Sequence, residues 1–175
     1  RRQRQMCIRD SLIKSKLPRE LFILSRVLTA FVNFLLGCIP FAAVLAWYRA
    51  AVTIYYFMIP VVLLLLLIFT TGMSYLVSIW FVFQRDARNI YSNFIFILRF
   101  FVAMFYSVDW VADGVKWVIQ HNPLYAYIYV MRQCVVYGRM PEGMYITQMF
   151  AWAIGMFGFG ILIFKKYENE VVERL

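Results

Sequence analysis

The sequence predicts an all-α protein, a polytopic bundle of membrane-spanning helices, and three observations carry that expectation. Four long, nearly charge-free stretches are separated by short charged segments. Hydrophobic residues make up 63% of the chain and mean hydropathy is +0.70, where a soluble domain sits near about 45–50% apolar. The chain has 18 Lys+Arg against 9 Asp+Glu, and the basic residues gather at stretch ends. Arg1, Arg2, Arg4, Arg9, Lys14, Lys16 and Arg19 crowd the start, while Arg85, Arg88, Lys165 and Lys166 follow later stretches. Clusters so placed mark cytoplasmic segments beside anionic lipid. The net charge of +9 therefore reads as membrane orientation and not as a nucleic-acid surface.

The elements follow in order. Residues 1–20 are a basic, polar cytoplasmic segment in which Ser11 to Lys16 form a short helix. It stops ahead of Pro18, which disfavours helix at Leu17. The first span is predicted over 21–48, charge-free beyond Arg26, with Pro40 as a kink and Trp47 and Tyr48 at the far interface. A short Arg49–Thr53 turn makes it an antiparallel neighbour of the second span, 54–83. That span has Pro60 near its start and a small-residue patch at Thr70, Thr71, Gly72 and Ser74. About 20 apolar residues rising ~1.5 Å each cross a hydrocarbon core of ~30 Å. From Ala50 to Gln84 tyrosine is the only ionisable type, and the run ends abruptly in Arg85-Asp86. The third span is 89–108, interrupted only by Arg99, and the last is 143–164, followed by a charged helical tail over 165–175.

Residues 109–142 between the last two spans decide the topology. A fifth crossing there would bury His121, Asn122, Pro123 and Arg132 and leave Lys165-Lys166 on the outer side. Charge placement instead favours a re-entrant pair of short helices at the outer face, broken at Asn122-Pro123. Non-helical backbone at that depth survives only when covered by protein or water. The expectation is four spans plus a helical hairpin, with residues 21–175 as one transmembrane domain.

Few residues carry chemistry. Cys7, Cys38 and Cys134 lack metal-ligand spacing and cannot all pair. His121 has no companion ligand, so no metal site is expected. Asp109 and Asp113 are one helical turn apart without a nucleophile, which gives no catalytic pair. Gly155, Gly158 and Gly160 lie in mid-span and read as close helix packing, not a nucleotide loop. Arg99 lies near mid-span, where a charge costs about 2.5–3.5 kcal/mol on insertion scales and is turned inward. Two readings of it stay open: contact with a phosphate or diphosphate on a substrate, or pairing with other protein groups. Tyr55, Tyr56, Phe105 and Tyr106 belong to an aromatic cluster that either lines a path or packs against lipid.

Several short patterns fall into one order: a basic segment through Pro18-Arg19-Glu20 before Leu24-Ser25 and a span, then Phe83-Gln84-Arg85-Asp86, Phe105-Tyr106-Ser107, Asn122-Pro123-Leu124, a helix carrying Arg132, Gly138, and a last span closed by Tyr167-Glu168. This order resembles the permease subunit of type-2 ABC exporters, in particular the teichoic-acid and O-antigen polysaccharide exporters. It departs from them at Ser107-Val108, where many members have Ser-Pro. The resemblance implies six spans in the family, with this chain matching the last four and an upstream part missing, in keeping with the absent initiator Met. It implies that Ser11, Lys14, Lys16, Leu17, Pro18, Arg19 and Glu20 dock on an ATPase subunit. Arg85 and Asp86 would contact that subunit or a second copy of the chain, and Asn122, Pro123 and Arg132 would form the re-entrant motif. The implied partners are an ABC ATPase, a second copy, membrane lipid and a lipid-linked glycan, at the bacterial cytoplasmic membrane. No Gly-x-x-x-x-Gly-Lys loop is present, so no cofactor is expected in this chain; ATP and Mg would sit on the partner. The alternatives are export of another amphipathic substrate such as a drug or lipid, a membrane enzyme acting on lipid-linked sugars, and a scaffold.

Overall fold

A computed structural model describes residues 20–47, 53–84, 86–102, 106 and 108–174, without the side chains of Phe100, Asp109, Asp113 and residues 168–174. Helix α1 spans Glu20–Trp47, with Glu20 in its first turn, where a carboxylate complements the positive end of the helix dipole. Pro40 lies inside α1 without ending it. The helix is apolar nearly all round, yet Val27 is its one buried residue among those described.

Thr53 is extended, and Ile54–Phe57 make a 3-10 turn that leads into α2, Met58–Phe83. Pro60 falls in the first turn of α2, where its missing N–H has no intrahelical partner to lose. The hydroxyls in mid-helix are satisfied locally: Thr70 donates to the Leu66 carbonyl at 2.9 Å, Thr71 to Leu67 at 2.7 Å and Ser74 to Thr70 at 2.7 Å. Such back-bonding lets polar side chains live in an apolar helix. It leaves Gly72 as the bare spot of the patch.

Helix α3 spans Ala87–Phe101, started by the Asp86 carbonyl, which accepts from the amides of Asn89 at 3.1 Å and Ile90 at 3.3 Å. Its 15 residues rise ~22 Å, short of a ~30 Å hydrocarbon core. A 3-10 turn follows at Val108–Trp110, then α4, Asp113–Gln120, and α5, Pro123–Arg132. A π-helical turn, Gln133–Tyr137, ends at Gly138 with φ of 57°. That left-handed conformation suits glycine, and a Cβ there would lie 2.8 Å from Thr53 Oγ1. Helix α6 spans Gly143–Arg174, so the fourth expected span and the tail are one helix.

Among the described residues three segments are long and apolar enough to cross a membrane: Glu20–Trp47, Ile54–Phe83 and Gly143–Tyr167. Of the third expected span, 89–108, helix α3 covers the part up to Phe101, and residues 103–105 and 107 lie outside the described residues.

Contacts fix the helix directions. Tyr127 links Leu65 of α2 to Met149 of α6, Gly72 meets Met156 and Phe157, Tyr75 stacks on Phe164, and Phe83 meets Tyr167. The partner numbers rise together, so α2 and α6 run parallel. Ile23 of α1 packs with Tyr75, Ile79 and Phe164. Glu20, Phe83 and Tyr167 therefore share the end of the bundle that carries Asp86, Arg88, Lys165 and Lys166. Tyr56, Val135, Tyr129 and Tyr145 mark the opposite end. Segment 87–142 thus makes one net passage from the basic end to the other.

The α2–α6 crossing is a backbone contact. A Cβ on Gly72 would lie 2.5 Å from the Met156 carbonyl oxygen, and one on Gly160 would collide with the Gly72 carbonyl. Helices in lipid associate through such close approaches of small residues. Gly155 and Gly158, expected to pack in the same way, face open space instead: they point away from α2, and Gly160 alone of the three makes the approach. Around this crossing the main core gathers Val62, Leu65 and Phe69 of α2, Tyr125 to Tyr127 and Val130 of α5, and Tyr145, Met149 and Ala153 of α6.

Gly72→Val or Gly160→Val should destabilise the protein by about 1–3 kcal/mol through overpacking, read as an earlier thermal midpoint in detergent. Gly155→Ala and Gly158→Ala should be neutral or stabilising by up to ~1 kcal/mol through helix propensity.

Candidate functional site

Four elements line an open groove of 670 Å³ on the flank of the α2–α6 pair. Helix α1 contributes Phe34 and Phe41, α2 contributes Val62, Leu63 and Leu66, α3 contributes Ile95, Leu98 and Arg99, and Val102 follows just beyond α3. The remaining wall is α5 and its π turn, from Leu124 to Val136, and includes Tyr127 and Arg132. Arg99 and Arg132 are the two charged residues of the lining. Arg99 is exposed and Arg132 half-buried.

The wall formed by α5 is held rigidly. Asn122 caps the helix: its Oδ1 accepts from the Leu124 amide at 3.0 Å, with Pro123 in the first position. Both features favour a helix start at this residue. The Asn122 Nδ2 donates to the Phe101 carbonyl at 3.4 Å, tying the α4–α5 turn to the end of α3. Gln148 of α6 holds the end of α4, its Nε2 donating to the Gln120 carbonyl at 3.2 Å. Tyr127, almost fully buried, places its hydroxyl within reach of the Leu65 carbonyl at 3.4 Å and the Met149 carbonyl at 3.3 Å. At the far end Tyr56 donates to the Val135 carbonyl at 3.3 Å, a carbonyl in the π turn. Tyr125, Tyr129 and Tyr145 stack there, with the Tyr129 and Tyr145 rings 4.1 Å apart. Tyr129 donates to Glu142 at 3.2 Å. Burial first, then the neighbouring Glu142 carboxylate, push the Tyr129 phenol above its ordinary range.

The residues singled out in the sequence separate. Arg99 lines the cavity. Tyr55 and Tyr106 pack against the main core, Tyr56 makes the Val135 tie, and none of the three lines the cavity. Phe105 and Arg85 lie outside the described residues, as do Ser11, Lys14, Lys16, Leu17, Pro18 and Arg19. Glu20 opens α1, and Asp86 is exposed and starts α3 through its carbonyl. Asn122 and Pro123 act as the helix start already described. Sequence reasoning tied Arg132 to the hairpin and missed that it shares a cavity with Arg99. The signal was present: between Lys116 and Arg139, Arg132 is the one residue among Asp, Glu, Lys and Arg.

A family model described as ABC-2 type transporter matches residues 2–136. The chain belongs to that family. This ABC-2 permease is similar to two proteins of Klebsiella pneumoniae, each named O-antigen export system permease protein RfbA. Identity is 26% over 163 residues in both comparisons, covering 93% of this chain and 62% of each relative. The chain thus spans somewhat under two thirds of the length of those relatives. The match takes in α1 to α5, including the whole lining of the groove and both of its charged residues, Arg99 and Arg132.

Asn122→Ala should cost about 1 kcal/mol for the lost cap, plus the tie to Phe101. Asn122→Asp keeps the cap acceptor and loses only the donor, so its thermal midpoint should fall between wild type and Asn122→Ala.

Proposed function

We propose that this protein is the transmembrane subunit of an exporter that moves a lipid-linked polysaccharide, of O-antigen or teichoic-acid type, across the bacterial cytoplasmic membrane. Two copies would form the path, each with an ABC ATPase subunit that binds ATP and Mg. The observation that carries this reading is the apolar cavity with two guanidinium groups beside the α4–α5 hairpin, because it suits an amphiphile with an anionic head. The likeness to two O-antigen export permeases over 93% of the chain supports the choice of substrate among amphiphiles.

The geometry also supports a route for the power stroke. Residues 11–20 would dock on the ATPase, and Glu20 begins α1 directly. Helix α1 is a continuous 28-residue rod that supplies one wall of the cavity while burying a single residue. A push on its cytoplasmic end would move Phe34 and Phe41 against a fixed α2–α6–α5 block. ATP-driven change of this kind needs contacts that differ between two states, and a loosely packed wall provides them. Asp86 and Arg85, at the same end, would offer a second contact. The hairpin reading of residues 109–142 is supported by Asn122, which ties the α4–α5 turn to the end of α3. The four-crossing reading is supported by the net passage of segment 87–142.

The experiment is a deletion of the gene in its host, with isolation of the tagged permease from the complemented strain. Surface polysaccharide should be lost, lipid-linked polymer should accumulate on the inner leaflet, and an ATPase should co-purify. Unchanged surface polysaccharide, or an active complex without a nucleotidase, would overturn the proposal. Pro18→Ala together with Arg19→Glu should leave the permease folded and lower export by about tenfold or more, the loss expected on removing a buried charged contact.

A further inference from the structure

We infer that the corner between α2 and α3 binds the headgroup of an anionic glycerophospholipid of the inner leaflet. The inference is independent of the exporter reading. A cleft of 260 Å³ lies at this corner. Phe81 and Gln84 line it from the last turn and cap of α2, and Arg88 and Asn89 from the first turn of α3. It shares no lining residue with the groove between α1, α2, α3 and α5.

The donors of the cleft are side chains held in place. Trp80 donates its Nε1–H to the Gln84 Oε1 at 2.7 Å. An indole N–H can only donate, so the carboxamide oxygen faces it and the Gln84 amino group is the end left over. The Phe81 ring meets Tyr91 edge-on, with 5.7 Å between centroids, which steadies the apolar wall. The first-turn amides of α3 are engaged elsewhere: Ala87 donates to the Gln84 carbonyl at 3.3 Å, and Asn89 and Ile90 donate to that of Asp86. An anion in the cleft is therefore met by the Arg88 guanidinium and two carboxamides, not by the end of the helix. The described lining holds no carboxylate, since Asp86 is exposed and outside it.

Position selects a lipid over a soluble anion. The apolar stretch ends at Phe83, and Lys165 and Lys166 share this end of the bundle. Gln84 thus begins where hydrocarbon gives way to headgroups, and basic residues so placed attract anionic lipid. Phe81, 38% exposed, continues the cleft toward the acyl chains, a wall that a free glycerol phosphate would leave unused. Guanidinium offers paired donors to phosphate oxygens. A choline or ethanolamine headgroup would bring an ammonium that finds no acidic partner in the lining. A glycerol headgroup brings hydroxyls, which carboxamides can meet. At 260 Å³ the cleft is smaller than the ~300–1,000 Å³ of ordinary ligand pockets, so it takes one headgroup and leaves the chains outside. A lipid bound in this way would fix the depth of the α2–α3 corner in the membrane.

The test uses the whole protein in nanodiscs of phosphatidylcholine with phosphatidylglycerol added in steps, and native mass spectrometry reads the lipids retained. Phosphatidylglycerol should be retained at least about fivefold over phosphatidylcholine, the scale of one arginine acting at a membrane surface. Arg88→Gln should bring that ratio below about twofold, and Arg88→Lys should keep part of it. Gln84→Glu keeps the acceptor for Trp80 and turns the free end of the side chain into a carboxylate oxygen. It should abolish the preference with an unchanged thermal midpoint. Lys165→Gln, at the same end but outside the lining, should leave the ratio unchanged. Equal retention of the two lipids would overturn the inference. So would a preference that survives both Arg88→Gln and Gln84→Glu, or one that Lys165→Gln removes as fully, because the general charge of the basic end would then suffice. Displacement of the lipid by glycerol phosphate at equal concentration would reveal a site for soluble anions and overturn it as well.

Discussion

The peptide backbones of α2 and α6 touch at Gly72 and Gly160, and the rest of the bundle is arranged around that contact. In lipid the apolar surfaces of two helices gain little by meeting, so association depends on close packing and on hydrogen bonds between helices. Two side-chain-free positions let the axes approach far enough for both. Above the crossing, Tyr127 of α5 reaches carbonyls of α2 and α6 at once. Below it, Tyr75 with Phe164 and Phe83 with Tyr167 extend the pair to the basic end. The parallel direction of the two helices is a topological consequence, and it obliges segment 87–142 to deliver the chain to the far side.

Against this fixed block the other walls of the cavity differ in kind. Helix α5 is pinned by a cap, a buried tyrosine and a π turn, whereas α1 is attached along one edge near Val27 and Ile23. A cavity with one firm and one loose wall changes shape when the loose wall moves. The arginines sit on α3 and α5, and the facing aromatics Phe34 and Phe41 on α1.

Much of this was legible in the amino-acid order. Helix α1 and the helical stretch Ile54–Phe83 coincide with apolar runs of the sequence. The start of α5 at Asn122-Pro123 was equally plain, because capping is a local property of two adjacent residues. What escaped was whatever depends on rotation about a helix axis. Gly155, Gly158 and Gly160 look alike in sequence, yet only Gly160 faces α2. Arg99 and Arg132 are thirty-three residues apart, and nothing local declares that a turn tied to Phe101 brings their helices to one cavity.

Helix α6 runs from Gly143 to Arg174 without interruption, some 48 Å of rod at ~1.5 Å per residue, against a hydrocarbon core of ~30 Å. A rod with no joint cannot hold its two ends in independent states. A rigid-body tilt of α6 would displace Tyr167 near its charged end and Tyr145 at the other end together.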